Sequence, residues 1–322
     1  MSSCSEEDYE YVDKSPQVIA LYIADGLGDR SYVDNIYRGV EAACIKNGLD
    51  VLHLSPADAD EGRAYIENIL RYGYNDGIKR LFLVTDQSYT DVLKDNADLI
   101  PDNDDMKMVF FETRPFTTNA YTLYVPFYGG MYAAGYLAQT MEDVDSVAIF
   151  SANVSIPALV DSRKAFMEGF TVNGKETIEN YYLGEGTEGF AAADTLYKVS
   201  YMVDSLYDMV LPLCGGSVQG LLRYNREYPT TSFYTVGVDA DMSSYSSRVP
   251  FSCVKHMDDV VDLVVSQWLS DSLPRHQTLG MKEGYVEVII PDDYKERFES
   301  YYSEIFETAV QKEEDYEATQ QE

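Results

Sequence analysis

The stretch that most constrains the fold runs from residue 18 to residue 41 and reads VIALYIADGLGDRSYVDNIYRGVE. Its first six residues, 18–23, are a short apolar run with β-branched members, which is typical of a buried strand. Gly26 and Gly28 then supply residues that adopt positive φ without strain, and Ser31 stands where the N-cap of a helix is expected. A strand, a glycine turn and a helix in this order predict the start of a βαβ unit and hence a parallel sheet.

Polar and aromatic side chains follow the carboxyl end of this first strand. In open parallel sheets ligands bind beyond the carboxyl ends of the strands, so Asp25 and Tyr32 are candidates to line a binding crevice. The alternative is that a short polar residue in this position serves only as a cap or turn former. The glycines are not a phosphate fingerprint, because the third glycine of GxGxxG is absent and Asp29 and Asp34 would repel a pyrophosphate.

The composition excludes two classes of partner. The chain of 322 residues has 55 acidic and 24 basic side chains and a net charge of −31. Nucleic acids are bound through clustered Lys and Arg, so we expect no nucleic-acid partner, and a polybasic membrane contact is disfavoured for the same reason. No run approaches the roughly 20 apolar residues that a membrane-spanning helix requires. The length is compatible with about two domains.

The four cysteines indicate neither a zinc site nor a redox motif. Cys44, Cys214 and Cys253 have no CxxC spacing, and their apolar surroundings predict burial. Cys4 differs, because small residues precede it and a polar, acidic leader, which we expect to be disordered, extends to residue 16. This arrangement is similar to the start of a bacterial lipoprotein whose cysteine carries the lipid; the alternative is an incidental N-terminal cysteine.

Further along the chain, strands and helices alternate in two successive series, which predicts doubly wound parallel sheets. Asp86 comes directly after a strand, Asp239 stands at the tip of another, and Gly216 belongs to a glycine turn after a third. His53 lies within a strand and is expected to be a satisfied strand histidine. The remaining strands are expected at 51–54, 80–85, 108–111, 147–150, 180–183, 209–213, 232–239 and 285–290.

Three other segments carry structural expectations. The pattern breaks around residues 121–126, and a helix rich in small residues, able to pack closely on a neighbour, begins at Phe127. A charged amphipathic helix is predicted over residues 292–308. The acidic segment from Lys312 to the end is predicted to be frayed.

Six blocks together carry a resemblance to a known family. They are VIALYIADGLGDRSYVDNIYRG, GGMYAAGYLA, VAIFSANVSIPALVDSRKAFMEGF, LCGGSVQG, TVGVDADM and FSCVKHMDDVV. In this order and spacing the chain resembles the basic membrane protein family of substrate-binding lipoproteins, which includes purine-nucleoside receptors that supply ABC importers. The resemblance covers nearly the whole chain after the leader. Its sharpest motif is the pair formed by Gly-Val-Asp-x-Asp and Ser-x-x-Lys.

The resemblance implies an α/β fold of the periplasmic-binding-protein type I class. In such a fold two doubly wound parallel-sheet lobes are joined by a three-segment hinge, and closure of the lobes holds the ligand. We assign residues 17–125 and 251–278 to the first lobe. Residues 126–250 and 279–291 are assigned to the second lobe, and residues 292–322 to a C-terminal helix and acidic tail.

The resemblance also implies roles for individual residues. Tyr32 and Phe190 match the family's stacking rings, which would sandwich a purine. Asp239 and Lys255 match the pair that binds ribose hydroxyls, and we expect them to reach the ligand from opposite lobes and to face solvent when the lobes are open. Gly216 would let backbone approach the ligand.

Two further aspartates complete the predicted site. Asp25 would accept hydrogen bonds from the base edge, whereas Asp86 is a candidate from its strand-end position alone. The family's asparagine is replaced here by Val33, so base recognition departs from the family pattern. The implied partners are a nucleoside-like molecule and an ABC permease, with a monomeric protein anchored by lipid outside the cytoplasmic membrane, and no cofactor or metal is expected.

Two alternatives of other classes remain open. Asp25, Asp29, Asp86 and Asp239 could belong to an enzyme as paired carboxylates or metal ligands, but no nucleophile–base pair, HExxH or phosphate loop accompanies them. Nothing therefore indicates a catalytic residue. The second alternative is a sensory module of the same fold that binds a different small molecule, a sugar for example, and signals to a membrane partner.

Overall fold

The structure, a computed structural model, describes residues 15–24, 26–73, 77–100, 105–115 and 121–320. Within this part the protein is an α/β protein with two lobes, each built on a parallel sheet, and a small third sheet. The predicted leader and Cys4 lie outside the described residues, apart from Ser15 and Pro16. Among the helices of the described part, none has the length and apolar character needed to cross a membrane.

The first lobe contains a six-stranded parallel sheet with helices on both faces. The strands are β1 (Gln17–Leu21), β2 (Asp50–Leu54), β3 (Arg80–Val84), β4 (Met106–Phe111), β5 (Tyr121–Tyr124) and β12 (His276–Thr278). Their order in the sheet is β12-β5-β4-β3-β1-β2. The helices are α1 (Tyr32–Asn47), α2 (Ala59–Tyr72), α3 (Thr90–Asp95) and α8 (Met257–Leu269). Val18, Ala20 and their neighbours pack under α1 and α8, whereas Ile19 and Leu21 pack under α2 and α3. This alternation follows from the period of two along a strand.

The second lobe repeats the arrangement on a four-stranded parallel sheet. Its two faces pack against separate pairs of helices, one pair joined to the core of the first lobe and the other forming a core of its own. The strands are β6 (Ser146–Ser151), β7 (Thr177–Tyr182), β8 (Met209–Leu213) and β9 (Tyr234–Thr235), in the order β7-β6-β8-β9, and the helices are α4 (Tyr128–Thr140), α5 (Pro157–Thr171), α6 (Ala193–Leu206) and α7 (Val218–Glu227).

A third sheet of three short strands was not expected from the sequence. It consists of β10 (Gly237–Asp239), β11 (Ser252–Lys255) and β13 (Val286–Ile289), with β10 parallel and β13 antiparallel to β11. Here the chain passes from the second lobe to α8 of the first lobe and later returns. The predicted strand over residues 232–239 is therefore split between two sheets. The lobe boundaries proposed above remain a prediction.

The close packing predicted for the helix that follows Phe127 is confirmed. A β-carbon on Gly135 of α4 would overlap the backbone carbonyl of Phe166 on α5, and one on Gly169 would overlap the carbonyl of Tyr132. Only glycine permits two helix backbones to approach this closely. The expected burial of Cys44, Cys214 and Cys253 is also confirmed.

The C-terminal segment differs from its prediction. Helix α9 (Asp292–Thr319) continues well past residue 308, so the expectation that the chain is frayed from Lys312 onward is wrong through Thr319. The cause is tertiary contact, because the carboxylate of Glu313 is buried and accepts hydrogen bonds from the backbone N–H of Gly129 (3.0 Å) and of Met281 (2.9 Å). Glu317 forms an ion pair with Arg114 at 2.8 Å.

Two local expectations have clear outcomes. His53 is satisfied as predicted, because its ring nitrogens lie 2.8 Å from the Tyr22 hydroxyl and 2.6 Å from a Glu41 carboxylate oxygen. The segment in which the sequence pattern breaks contains β5, a buried strand between β4 and β12.

Candidate functional site

The loop between β1 and α1 is organised by carboxylates. Asp29 accepts hydrogen bonds from the backbone N–H groups of Ser31 (2.8 Å), Val33 (3.0 Å) and Asp34 (3.1 Å). These are the N–H groups that the start of a helix leaves without intrahelical partners. Ser31 occupies the N-cap position as predicted, but Asp29 supplies the capping oxygens. The loop therefore holds Tyr32, the first residue of α1, in a defined position.

The start of α1 is tied to the third sheet. The hydroxyl of Ser31 donates a hydrogen bond to the carbonyl of Val238 at 3.2 Å, and the amide of Asn35 donates to the carbonyl of Asp239 at 3.4 Å. The Tyr32 hydroxyl donates to the carbonyl of Thr85 at 3.0 Å. The ring of Tyr32 is thus fixed between the ends of β3 and β10.

Phe190 is positioned by a turn in the second lobe. It lies in a short 3-10 turn, Glu188–Ala191, next to the glycine turn Gly215–Ser217. The Ser217 hydroxyl joins the two turns, because it donates to the carbonyl of Gly189 (2.7 Å) and accepts from the N–H of Ala192 (2.6 Å). A β-carbon on Gly216 would lie 3.2 Å from the Phe190 carbonyl, which explains why a small residue occurs there.

Asp239 and Lys255 lie on neighbouring strands of the same sheet. Asp239 ends β10 and pairs in register with Val254, so Lys255 is one position further along β11. Our expectation that the two side chains approach a ligand from opposite lobes is therefore wrong, because both start from the third sheet. Asp239 has a φ of 64°, a left-handed conformation that few residues other than glycine, asparagine and aspartate adopt readily.

Lys255 has a partner that the sequence analysis did not assign. Its ammonium donates a hydrogen bond to Oε1 of Glu112 at 2.7 Å, and the Lys255 and Glu112 side chains are only 5% and 6% exposed. Lys255 is therefore buried in this structure, and its exposure when the lobes are open stays a prediction. The same ammonium lies 5.0 Å from the ring centre of Phe127 and 5.8 Å from that of Tyr32.

The predicted site residues line a single cavity of about 500 Å³ between the lobes, called here the interlobe cavity. The first lobe contributes Tyr32 and Asp86, and the second contributes Phe190 and Gly216. Asp239 and Lys255 from the third sheet complete the set of six. Asp25, the seventh predicted ligand-binding residue, and Cys4 lie outside the described residues.

The electrostatics of the cavity are dominated by carboxylates, of which Glu112 is buried and Asp29, Asp86 and Asp239 are half-buried. Burial raises the pKa of Asp29, Asp86 and Glu112 above their ordinary values, although Lys255 opposes the rise at Glu112. The pKa of Asp239 is raised to about 7, mainly by burial and further by Asp29 and Glu112, whereas Lys255 lowers it.

Sequence reasoning missed two residues of the cavity wall that lie next to Lys255. Glu112 follows the end of β4 and Phe127 immediately precedes α4. Glu112 stands in the same strand-end position from which Asp86 and Asp239 were chosen, so the same rule could have identified it. No comparable signal marked Phe127, because an aromatic residue before a helix is ordinary.

The arrangement is suited to binding. Aromatic faces, carboxylate acceptors and one ammonium donor converge on a concave space lined by both apolar and polar residues, which is typical of small-molecule sites. Among the described residues, three candidate metal ligands come within 4.8 Å of one another only at His256, Asp258 and Asp259, outside the cavity and largely exposed.

Two lobes on parallel sheets, joined through a small sheet and enclosing a polar and aromatic cavity, define the class of two-lobed solute-binding proteins. The family model described as ABC transporter substrate-binding protein PnrA-like matches residues 16–318. The chain therefore belongs to this family of substrate-binding proteins, as the sequence blocks predicted. The family is not one of enzymes; its members are extracytoplasmic and bring a small molecule to a permease. No curated protein sequence matches the chain significantly.

Solved structures agree on the fold. A solute-binding protein of an ABC transporter system from Aeropyrum pernix K1 has a TM-score of 0.71 at 17% identity, over 94% of this chain and 86% of that one. A transcriptional activator of the comK gene from Bacillus halodurans has a TM-score of 0.66 at 18% identity, over 91% and 98%. A periplasmic solute-binding protein from Actinobacillus succinogenes 130z with bound D-allose has 0.63 at 12%, over 87% and 98%. These similarities confirm the type I fold with two lobes.

Proposed function

We propose that this protein captures a purine nucleoside or a closely similar molecule in the interlobe cavity and delivers it to an ABC permease. The observation that carries the proposal is the convergence of two aromatic residues from different lobes with Asp239 and Lys255 around one cavity. Its volume of about 500 Å³ falls in the range of roughly 300 to 1,000 Å³ that is usual for small-molecule sites.

The aromatic residues would bind the base. A purine is flat and apolar on its faces, so Tyr32 from the first lobe and Phe190 from the second would stack on it. Stacking on an aromatic side chain contributes about 1–3 kcal/mol per base. The two rings belong to different lobes. A base stacked between them would therefore favour the closed arrangement of the lobes, which is reached by movement at the hinge segments.

The charged residues would bind the ribose. The Asp239 carboxylate, which accepts no hydrogen bond from the described residues, can receive two vicinal hydroxyl groups. An ammonium has three N–H donors, and Glu112 takes one of those on Lys255, which leaves donors for the ligand. Gly216 would let the backbone of the second lobe approach the ligand, and Asp86 would accept from a further donor.

The anchoring and transport steps belong to the same proposal. Cys4 would carry the lipid that holds the protein at the outer surface of the membrane, as a monomer that docks on its permease. Mass spectrometry of protein extracted from its native membrane tests the anchor. A peptide that contains unmodified Cys4 in the full population would contradict it.

Thermal shift against a panel of nucleosides, bases, sugars and amino acids tests the ligand class. A ligand at 100 times its Kd stabilises the native state by about 2.7 kcal/mol, and we expect this response from purine nucleosides. Phe190→Ala should weaken the response, whereas Tyr301→Ala, which removes an exposed ring of α9 outside the cavity, should not. A response confined to sugars or amino acids would overturn the nucleoside assignment and favour a different solute or a sensory role.

A further inference from the structure

The charges on the walls of the interlobe cavity do not balance. The described residues that line it include six carboxylates and one ammonium, with no arginine or histidine. The ammonium is Lys255, which Glu112 already engages. The carboxylates are Asp29, Asp58, Asp86, Glu112, Glu188 and Asp239.

Three of these carboxylates are compensated locally. Asp29 accepts three backbone N–H groups at the start of α1, where the helix dipole favours a negative charge. Asp58 accepts the N–H of Glu61 at the start of α2, and Glu188 accepts N–H groups of its own loop from Glu185 and Gly186. The local hydrogen bonds of these three carboxylates account for their charge without a ligand.

The other three retain unused acceptor capacity. Oε2 of Glu112 is buried without a hydrogen-bond partner among the described residues, in a side chain that is 6% exposed. Among the described residues, Asp86 accepts the N–H of Ser88 through Oδ1 at 2.8 Å, which leaves acceptor sites on the carboxylate for other donors. Within the described part of the chain, no hydrogen bond reaches the carboxylate of Asp239. The unpaired buried oxygen of Glu112 is costly, and the half-buried Asp86 and Asp239 can each accept further donors from a ligand.

These three carboxylates line the same cavity as Tyr32, as does Asp29. Burial is the largest cause of the raised pKa of the Tyr32 hydroxyl, and the charges of Glu112, Asp86, Asp239 and Asp29 raise it further. Aromatic faces attract cations, and Phe127 provides another face in the same wall. By contrast, Val33 presents an apolar surface where the amide of an asparagine would read a neutral base edge.

We propose that the ligand of the interlobe cavity is cationic: a nucleoside-like molecule whose positive charge lies among Asp86, Glu112 and Asp239. This inference rests on the proposed function and specifies its ligand. A cation neutralises part of the buried negative charge and donates to the unused acceptor of Glu112. A neutral ligand leaves that charge uncompensated in a poorly solvated cavity.

Calorimetric titration with matched nucleosides at neutral pH tests the inference. Adenosine and N6-methyladenosine are neutral, whereas 1-methyladenosine carries its charge on the base and 5′-amino-5′-deoxyadenosine carries it on the sugar. We expect at least one of the two cationic compounds to bind at least about tenfold more tightly than adenosine, equivalent to about 1.4 kcal/mol. N6-methyladenosine controls for the added methyl group.

A variant separates the contribution of one carboxylate to binding from other differences between the ligands. Asp86→Asn keeps the shape of the side chain, and it should reduce the affinity ratio of cationic to neutral nucleoside. Asp292→Asn, an exposed change at the start of α9 outside the cavity, should leave that ratio unchanged. Melting curves without ligand establish that both variants are folded.

The possible failures are distinguishable. If adenosine binds as tightly as both cationic compounds or more tightly, the charge inference is overturned and the nucleoside assignment stands. If no nucleoside of any charge binds while sugars or amino acids do, the proposed function is overturned and this inference with it.

Discussion

Removal of the Lys255 ammonium is expected to destabilise the protein by an amount that depends on pH. In Lys255→Met the apolar stem is retained, but the buried Glu112 loses its partner. Loss of one member of a buried ion pair costs about 3–5 kcal/mol, because the remaining charge is uncompensated. We expect a loss of this size at pH 8.

The pH dependence follows from the carboxyl group that remains. Burial already raises the pKa of Glu112 above its ordinary value of 4.5, and removal of Lys255 raises it further. A group with a raised pKa in the folded state contributes stability below its unfolded pKa and loses it as pH rises through the folded pKa. When the folded and unfolded pKa values differ by one, the difference corresponds to about 1.4 kcal/mol. The destabilisation by Lys255→Met should therefore be small near pH 4.5 and should grow toward pH 8.

Urea unfolding monitored by the fluorescence of the single tryptophan, Trp268, provides the assay. Trp268 is buried on α8, which follows the strand that carries Lys255. Lys46→Met is the control, because the ion pair of Lys46 with Asp262 is exposed and such pairs contribute about 0–1 kcal/mol.

The double variant separates the charge effect from packing. Lys255→Met combined with Glu112→Gln should be more stable at pH 8 than the sum of the single effects predicts, by about 1–3 kcal/mol. The reasoning is refuted if Lys255→Met loses no more stability at pH 8 than Lys46→Met, or if its loss is the same at both ends of the pH range.

Three further changes test other parts of the structure. The pKa of Glu313 is raised to about 7, so its contribution to stability should fall by about 3 kcal/mol as pH rises from 4.5 to 7. Glu313→Gln should therefore flatten the dependence of the unfolding free energy on pH, measured by urea unfolding. An unchanged pH dependence contradicts this. Gly135→Ala should lower the free energy of unfolding by about 1–3 kcal/mol, because the added methyl group overlaps the Phe166 carbonyl. An unchanged midpoint of urea unfolding counts against the close packing. Val33→Asn should preserve or improve affinity for neutral purine nucleosides, which titration measures; weaker binding refutes a base contact there.

Much of the fold could be predicted because its signals are local. The run that ends at Ile23, the glycine turn and the helix after Ser31 each reflect the chemistry of neighbouring residues. The strand-end rule selected Asp86 and Asp239, which both line the cavity although their strands belong to different sheets, since ligands bind beyond the carboxyl ends of parallel strands. The resemblance to the family supplied Phe190 and Lys255, for which periodicity offered no signal.

The remainder depends on contacts between distant segments. The third sheet brings together strands of three or four residues from separate parts of the chain, and no local pattern marks their pairing. Glu313 belongs to an acidic helix whose composition predicts exposure to solvent. Its carboxylate is instead buried and accepts hydrogen bonds from the backbone N–H groups of Gly129 and Met281. The pairing of Lys255 with Glu112 joins residues 143 positions apart, so the sequence alone could not reveal that the ammonium is already engaged.

The most direct test of the central claim is calorimetric titration of the parent protein and Asp239→Asn with the best nucleoside of the panel. Asparagine suits the positive φ at this position and keeps the side-chain shape, so the change removes the charge with little strain. We predict saturable binding by the parent and a weakening in the variant of about 2 kcal/mol, or roughly thirtyfold. Equal affinity of the two proteins, or no binding of any nucleoside by the parent, would contradict the account.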